Sequence, residues 1–116
     1  MEHKATLYVP APEFDAMCRE CNREQNSDDG TLFDEEVHFA SGMMMAIQVC
    51  PSKGSTAWTQ GVLFERANDG GFYEVGCTDV RDDIGGEYIV YGGDDEYVVT
   101  VVRAEQDQKC RVELAV

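Results

Sequence analysis

The chain has 116 residues, of which 23 are Asp or Glu and only 9 are Lys or Arg, so its formal net charge at pH 7 is −14. This length predicts a single domain, residues 1–116, and a content of 43% hydrophobic residues is typical of a chain that folds around a core. An acidic field repels phosphate groups, so the composition argues against direct binding to nucleic acid and against attachment to an anionic membrane.

The sequence also indicates a compartment. No apolar run approaches the roughly 18 residues of a membrane-spanning helix, and the opening stretch MEHKATLYVPAPEF lacks the apolar segment of a secretory signal. The 5 cysteines are an odd number, which fits reduced thiols better than a disulfide framework. We therefore expect a cytoplasmic protein.

The N-terminal stretch predicts a strand followed by a helix. Ala5, Leu7 and Val9 alternate with less apolar residues, as in a strand with one buried face. Pro12 suits the first turn of a helix, where its missing N–H is not needed. Apolar residues then recur at helical spacing and predict one stripe that packs against the rest of the domain: Phe14, Met17, Cys18 and Cys21.

Residues 31–50 allow two interpretations. Apolar residues from Phe33 to Ile47 include a set at helical spacing, preceded by a capping-box pattern, which favours a helix. The Ser-Gly pair at 41–42 is a turn signal, and apolar residues alternate on both sides of it, which favours a β-hairpin. We predict the hairpin and keep the helix as the alternative.

The remaining chain predicts further short strands separated by turns rich in Gly and Asp. Together with the N-terminal elements they predict an α+β fold, in which one N-terminal helix packs on an antiparallel, mostly meander β-sheet of about six to eight strands. The predicted strands are 57–66, 72–78, 87–91, 96–104 and 109–116.

The last two of these strands differ in their patterns. The stretch 96–104 is apolar on both faces, which predicts a central strand that is covered on two sides. In 109–116, apolar and charged residues alternate, so this strand is predicted to be half-exposed or to lie at an edge. Its apolar face carries Val112, Leu114 and Val116, and its polar face carries Arg111 and Glu113.

No set of residues predicts catalysis. Cys18 and Cys21 have the spacing of half a zinc site, but the second half is missing. They lie beyond the N-terminal turn of the predicted helix, where no helix dipole would favour a thiolate, so we interpret them as apolar packing residues. The histidines are His3, next to a terminus that we expect to be mobile, and His38, which we interpret as an ordinary surface residue.

A calcium site is the remaining metal hypothesis. Within residues 25–36, Asp29, Gly30 and Glu36 fall where an EF-hand loop places a ligand, its turn glycine and its bidentate acid. The leading position holds the neutral Gln25, which argues against tight binding. We therefore predict no metal, no cofactor and no catalytic residues.

Acidic residues form two clusters in the sequence. Asp beside Gly is ordinary turn chemistry, and charged turns prevent edge-to-edge pairing of sheets. Neither effect explains why so few Lys residues balance the acids. If the fold gathers them on one face, we expect that face to bind a basic partner. The first cluster is Asp28, Asp29, Asp34, Glu35 and Glu36, and the second is Asp82, Asp83, Glu87, Asp94, Asp95 and Glu96.

Residues 37–102 carry several short hairpin motifs. These are Phe39-x-x-Gly42, Val62-Leu63-Phe64-Glu65, Gly86-Glu87-Tyr88 and Tyr97-Val98-Val99. With them the chain resembles small acidic proteins encoded by phages and conjugative elements. The resemblance implies an accessory or counter-defence role and brings no catalytic residues with it.

Two functions are therefore expected from the sequence. The first is a non-catalytic interaction protein whose acidic face binds a basic partner. That partner could be a nucleic-acid-binding protein, if the carboxylates mimic the phosphate groups that it normally binds. The alternative is a structural or assembly subunit that acts through an apolar surface or a strand edge, for instance as a homodimer along residues 109–116.

Overall fold

A computed structural model of the protein describes residues 1–115, and this part of the chain contains one helix and eight strands in two sheets of four strands. The α+β class with a predominantly antiparallel sheet is confirmed, but the strands form two sheets where one was predicted. In chain order the elements are β1 Glu2–Pro10, α1 Ala11–Glu20, β2 Phe33–His38, β3 Met44–Cys50, β4 Trp58–Arg66, β5 Phe72–Cys77, β6 Gly86–Gly92, β7 Asp95–Ala104 and β8 Arg111–Leu114.

Sheet 1 has the strand order β6-β7-β1-β8. β6 and β7 form the expected hairpin, and β7 is central as predicted. β1, however, lies between β7 and β8 and runs parallel to β7, from Glu2 beside Glu96 to Pro10 beside Ala104. The prediction of a purely antiparallel meander is wrong here, because the N-terminal strand inserts between two strands from the end of the chain.

Sheet 2 has the order β2-β3-β4-β5 and is an antiparallel meander. Its first hairpin confirms the strand interpretation of residues 31–50 over the helical one. The turn between β2 and β3 contains Gly42 at a φ of 93°, a conformation that L side chains rarely adopt.

The core lies between the inner faces of the two sheets. Sheet 1 contributes Leu7 and Val99, and sheet 2 contributes Ile47 and Leu63, all four without exposed surface. β6 contacts β4 and β5, so the sheets meet along that side. Gly76 allows the approach, because a Cβ there would lie 3.0 Å from Cγ1 of Val90.

Helix α1 begins directly after β1, with Pro12 in its first turn. Its side chains Phe14, Met17 and Cys18 are partly buried and pack against the core cluster, which contains Cys21 itself. Cys21 is the C-terminal cap of the helix, and its backbone N–H donates to the carbonyl of Met17 at 3.0 Å. Within residues 1–115 there is no helix long and apolar enough to cross a membrane.

Candidate functional site

The first acidic cluster lies along one edge of sheet 2. β2 is the edge strand, and its residues alternate between the two faces of the sheet. Asp34 and Glu36 lie on the outer face, whereas Glu35 shares the inner face with the buried Phe33 and Val37. Asp28 and Asp29 are exposed in the loop that leads into the strand. We call these five acids, Asp28, Asp29, Asp34, Glu35 and Glu36, the acidic edge.

The backbone of β2 has free hydrogen-bonding groups on the same side. The N–H of Phe39 donates to the carbonyl of Met43 at 2.9 Å, which fixes the phase of the β2–β3 ladder. In an antiparallel ladder, alternate residues bond to the neighbouring strand, so Val37 and Glu35 bond to β3. The N–H and C=O groups of Asp34 and Glu36 therefore point away from the sheet, at the edge where their carboxylates lie.

The acidic edge is poorly neutralised. Among residues 1–115 its carboxylates form no ion pair with Lys or Arg, and the imidazole of His38 lies 3.2 Å from Oε1 of Glu36. The neighbouring strand β3 has no charged residue. Arginines pair with other carboxylates, for example Arg103 with Asp15 at 2.9 Å. The edge therefore keeps most of its negative charge.

Glu35 connects the acidic edge to sheet 1. Its carboxylate lies close to Cys110, just before β8. Burial, together with this negative charge, raises the pKa of the Cys110 thiol to about 12. The thiol therefore stays protonated at neutral pH. Because Glu35 lies in β2 and Cys110 directly precedes β8, the edges β2 and β8 are on the same side of the molecule.

The second acidic cluster is divided by the fold. Asp82, Asp83 and Glu87 lie at the start of β6, whereas Asp94, Asp95 and Glu96 lie at the turn into β7. Five residues of β6, 88–92, lie between Glu87 and the turn, which at a rise of about 3.3 Å per residue corresponds to roughly 16 Å. The eleven predicted residues therefore do not form one patch.

The group at the start of β6 is organised around Arg81. Its guanidinium lies 4.2 Å from the ring of Tyr88. It also donates to the carbonyls of Glu87 and Gly85 and lies 3.5 Å from Asp83. This cation offsets part of the local negative charge, so the group is a less favourable surface for a basic partner than the acidic edge.

The group at the β6–β7 turn holds the N-terminus. The carboxylate of Asp95 accepts from the terminal ammonium at 3.2 Å and lies 3.0 Å from Nε2 of His3. Hydrogen bonding to His3 and to the terminus lowers the pKa of Asp95. The ring of His3 also stacks on Tyr97 with centroids 4.4 Å apart. The expectation of a mobile terminus at His3 is wrong, because β1 pairs with β7 from its first residue.

The two cysteines of the C-x-x-C motif have the environment of packing residues. Cys21 is buried in the core and Cys18 packs against it. Burial, followed by the nearby thiol of Cys18 and neighbouring acids, raises the pKa of Cys21 to about 11. Burial also raises the pKa of Cys18. Both shifts oppose the thiolate that redox chemistry or zinc binding needs.

The calcium hypothesis finds no support in the geometry. Gln25, at the leading ligand position, is buried, and its side-chain amide donates to the carbonyl and carboxylate of Glu20 at 3.0 Å. Glu36, at the last position, lies in β2 and meets His38. Within residues 1–115, no group of three His, Cys, Asp or Glu side chains is placed to hold a metal ion.

Comparison with protein-family models, with curated proteins and with solved structures gave no match to this chain.

Proposed function

We propose that this protein is a non-catalytic interaction protein that binds a basic partner along its acidic edge. The observation that carries the proposal is the concentration of five carboxylates, none paired with a Lys or Arg of residues 1–115, at and beside the free edge of β2. The second acidic cluster does not contribute as a unit, because β6 divides it. The proposal therefore rests on fewer residues than the sequence suggested.

The chemistry of the edge favours a partner rich in Lys and Arg. No Lys or Arg occurs between Arg23 and Lys53, so the segment that forms the acidic edge supplies no Lys or Arg of its own. Cationic side chains could reach Asp34 and Glu36 on the outer face while an extended segment bonded to the free backbone groups of β2. Electrostatic steering should also accelerate the encounter at low salt.

A nucleic-acid-binding protein is one basic partner that this surface would suit. Asp34 and Glu36 share the outer face of β2, about 6.6 Å apart along the strand, while Glu35 lies on the inner face. A surface whose Lys and Arg side chains bind phosphate groups could bind these carboxylates instead. Imitation of a phosphate backbone would agree with an accessory or counter-defence role, in which the protein occupies the basic surface of a nucleic-acid-binding protein.

A pair of matched variants tests the proposal. D34N/E35Q/E36Q removes three charges from the acidic edge, whereas E87Q/D94N/E96Q removes three charges elsewhere, at nearly constant side-chain size. Each variant and the unmodified protein are immobilised and exposed to oligolysine and to a cell lysate, at low salt and at high salt. Exposed charges are screened within about 10 Å at 0.1 M salt.

We expect the unmodified protein and E87Q/D94N/E96Q to retain oligolysine and basic proteins at low salt and to release them at high salt. D34N/E35Q/E36Q should retain much less. Equal losses in both variants would show that only total charge matters, and undiminished binding by D34N/E35Q/E36Q would exclude the acidic edge as the binding surface.

A further inference from the structure

The free edge of sheet 1 has a different character from the acidic edge. β8 pairs with β1 on one side, and no other strand within residues 1–115 pairs with its second side. All four of its residues are exposed, including Val112 at 39% and Leu114 at 42%. These two apolar side chains lie on the inner face, opposite Leu7 and Ala5. β8 therefore presents an incomplete apolar row as well as an open backbone.

The phase of the β1–β8 ladder determines which backbone groups are open. The N–H of Ala115 donates to the carbonyl of Lys4 at 3.0 Å. Alternation along the antiparallel ladder then directs the N–H and C=O of Glu113 and Arg111 toward β1. The corresponding groups of Val112 and Leu114 point outward, available to another strand.

We propose that a second copy of this chain pairs with β8 in an antiparallel register centred on Val112. The outward groups allow four symmetric registers within β8. In each, one residue lies at the two-fold axis opposite the same residue of the second copy, and this residue is Arg111, Val112, Glu113 or Leu114. Centring on Arg111 or on Glu113 places like charges directly opposite each other, which is unfavourable. Centring on Leu114 leaves Arg111 and Glu113 of each copy without an oppositely charged residue of the other copy opposite them. Centring on Val112 places Arg111 of each copy opposite Glu113 of the other.

The side chains on both faces suit this register. On the outer face, Arg111 lies 4.0 Å from the ring of Tyr8 and bonds Glu113 of its own strand at 2.8 Å. Two contacts between copies would join these two pairs into a two-by-two block of alternating charges. On the inner face, Val112 meets Val112 of the second copy and Leu114 meets its Cys110, so the exposed apolar row is covered.

The other edges are less suited to self-pairing. A copy of β2 would bring its acids against the same acids. β5 carries a register irregularity opposite Leu63 and Phe64, which interrupts a flat pairing surface. β6 lies against β5 at the side where the sheets meet. β8 combines an open backbone, exposed apolar residues and charges that complement themselves.

Charge reversals test the register. R111E and E113R each place like charges across the seam, so each variant alone should dimerise at least about tenfold more weakly than the unmodified protein. Mixing R111E with E113R restores opposite charges in a heterodimer, and the double variant R111E/E113R restores them in a homodimer. E74R changes the net charge by the same amount as E113R but lies on β5, at the opposite edge of sheet 2 from the acidic edge, so it is the matched control.

Sedimentation equilibrium over a range of concentrations measures the result. We expect a dimer of the unmodified protein and of E74R, strengthened by added salt, because each copy of the unmodified chain carries a charge of −14. Binding of the basic partner should weaken with salt, so the two proposals can fail separately. A monomer at every concentration and salt level overturns the dimer. Dimers of R111E and E113R alone, or no recovery on mixing, overturn the register.

Discussion

The hydroxyl of Tyr88 anchors the loop before β6 to the core, and its removal should lower the free energy of unfolding. Tyr88 is 1% exposed, and its O–H donates to the carbonyl of Ile84 at 2.7 Å and lies 3.2 Å from Oγ1 of Thr59. Y88F keeps the ring, and with it the contact with Arg81, but removes the donor. A buried acceptor without its partner costs about 1–3 kcal/mol. At ~2 kcal/mol and about 4 °C per kcal/mol, the unfolding temperature should fall by roughly 8 °C.

Y91F is the matched control for this prediction. Tyr91 lies on the same strand but is 68% exposed, so its variant should change the free energy of unfolding by less than about 0.5 kcal/mol. Urea titrations followed by circular dichroism and by the fluorescence of Trp58 measure both variants. If Y88F were no less stable than Y91F, the hydrogen bond to Ile84 would not anchor the loop.

Ionisation of Tyr88 should make the difference in stability between the unmodified protein and Y88F depend on pH. Burial raises the pKa of Tyr88 above its ordinary value. Its contribution to stability is therefore fully present below the unfolded pKa of about 10 and is lost as the pH rises through the folded pKa. The difference in stability between the unmodified protein and Y88F should shrink in alkaline solution, provided that both remain folded there.

Three further predictions concern packing, acid stability and thiol reactivity. G61A should destabilise the domain by about 1–3 kcal/mol in urea unfolding, because a Cβ there would lie 2.9 Å from the sulfur of the fully buried Met45. Hydrogen bonding to Arg103 lowers the pKa of Asp15, so the stability lost in D15N should be measurable at pH 7 and should diminish as the pH falls below the unfolded pKa and through the lower folded pKa. Cys77 is the exposed thiol, while the other four are buried or half-buried; maleimide labelling followed by peptide mapping should modify it first.

Local sequence signals predicted the hairpins well. The turn at 41–42 separates β2 from β3, and the Asp-Gly turn at 68–71 separates β4 from β5, at the places where alternation of apolar residues restarts. These signals act over a few residues, so they specify which consecutive strands pair. They made sheet 2 and the β6–β7 hairpin predictable without long-range information.

The parallel pairing of β1 with β7 had no local signal. Leu7 and Val101 lie beside each other although more than ninety positions separate them in the chain. Alternation shows that a strand has one buried face, but it does not indicate its neighbour or its direction. The division into two sheets was hidden for the same reason, because β5 and β6 are consecutive but do not pair.

Proximity in the sequence was a poor guide to the acidic surface. Asp83 and Asp94 appear to belong to one cluster, yet they lie at opposite ends of β6, because an extended strand carries the chain far in few residues. The acids of the first cluster stay together since three of them are consecutive in β2. Turn residues at the two ends of a strand should therefore not be counted as one charged patch.

The two proposed interfaces also constrain each other. Glu35 meets Cys110, so the acidic edge lies beside the edge that would form the dimer. Antiparallel pairing of β8 with a second copy implies a two-fold axis perpendicular to sheet 1, which puts both inner faces, and both copies of sheet 2, on the same side. The two acidic edges would then face each other across the seam and repel. A basic partner between them would neutralise that repulsion, so partner binding and dimerisation should favour each other, as reciprocal linkage requires.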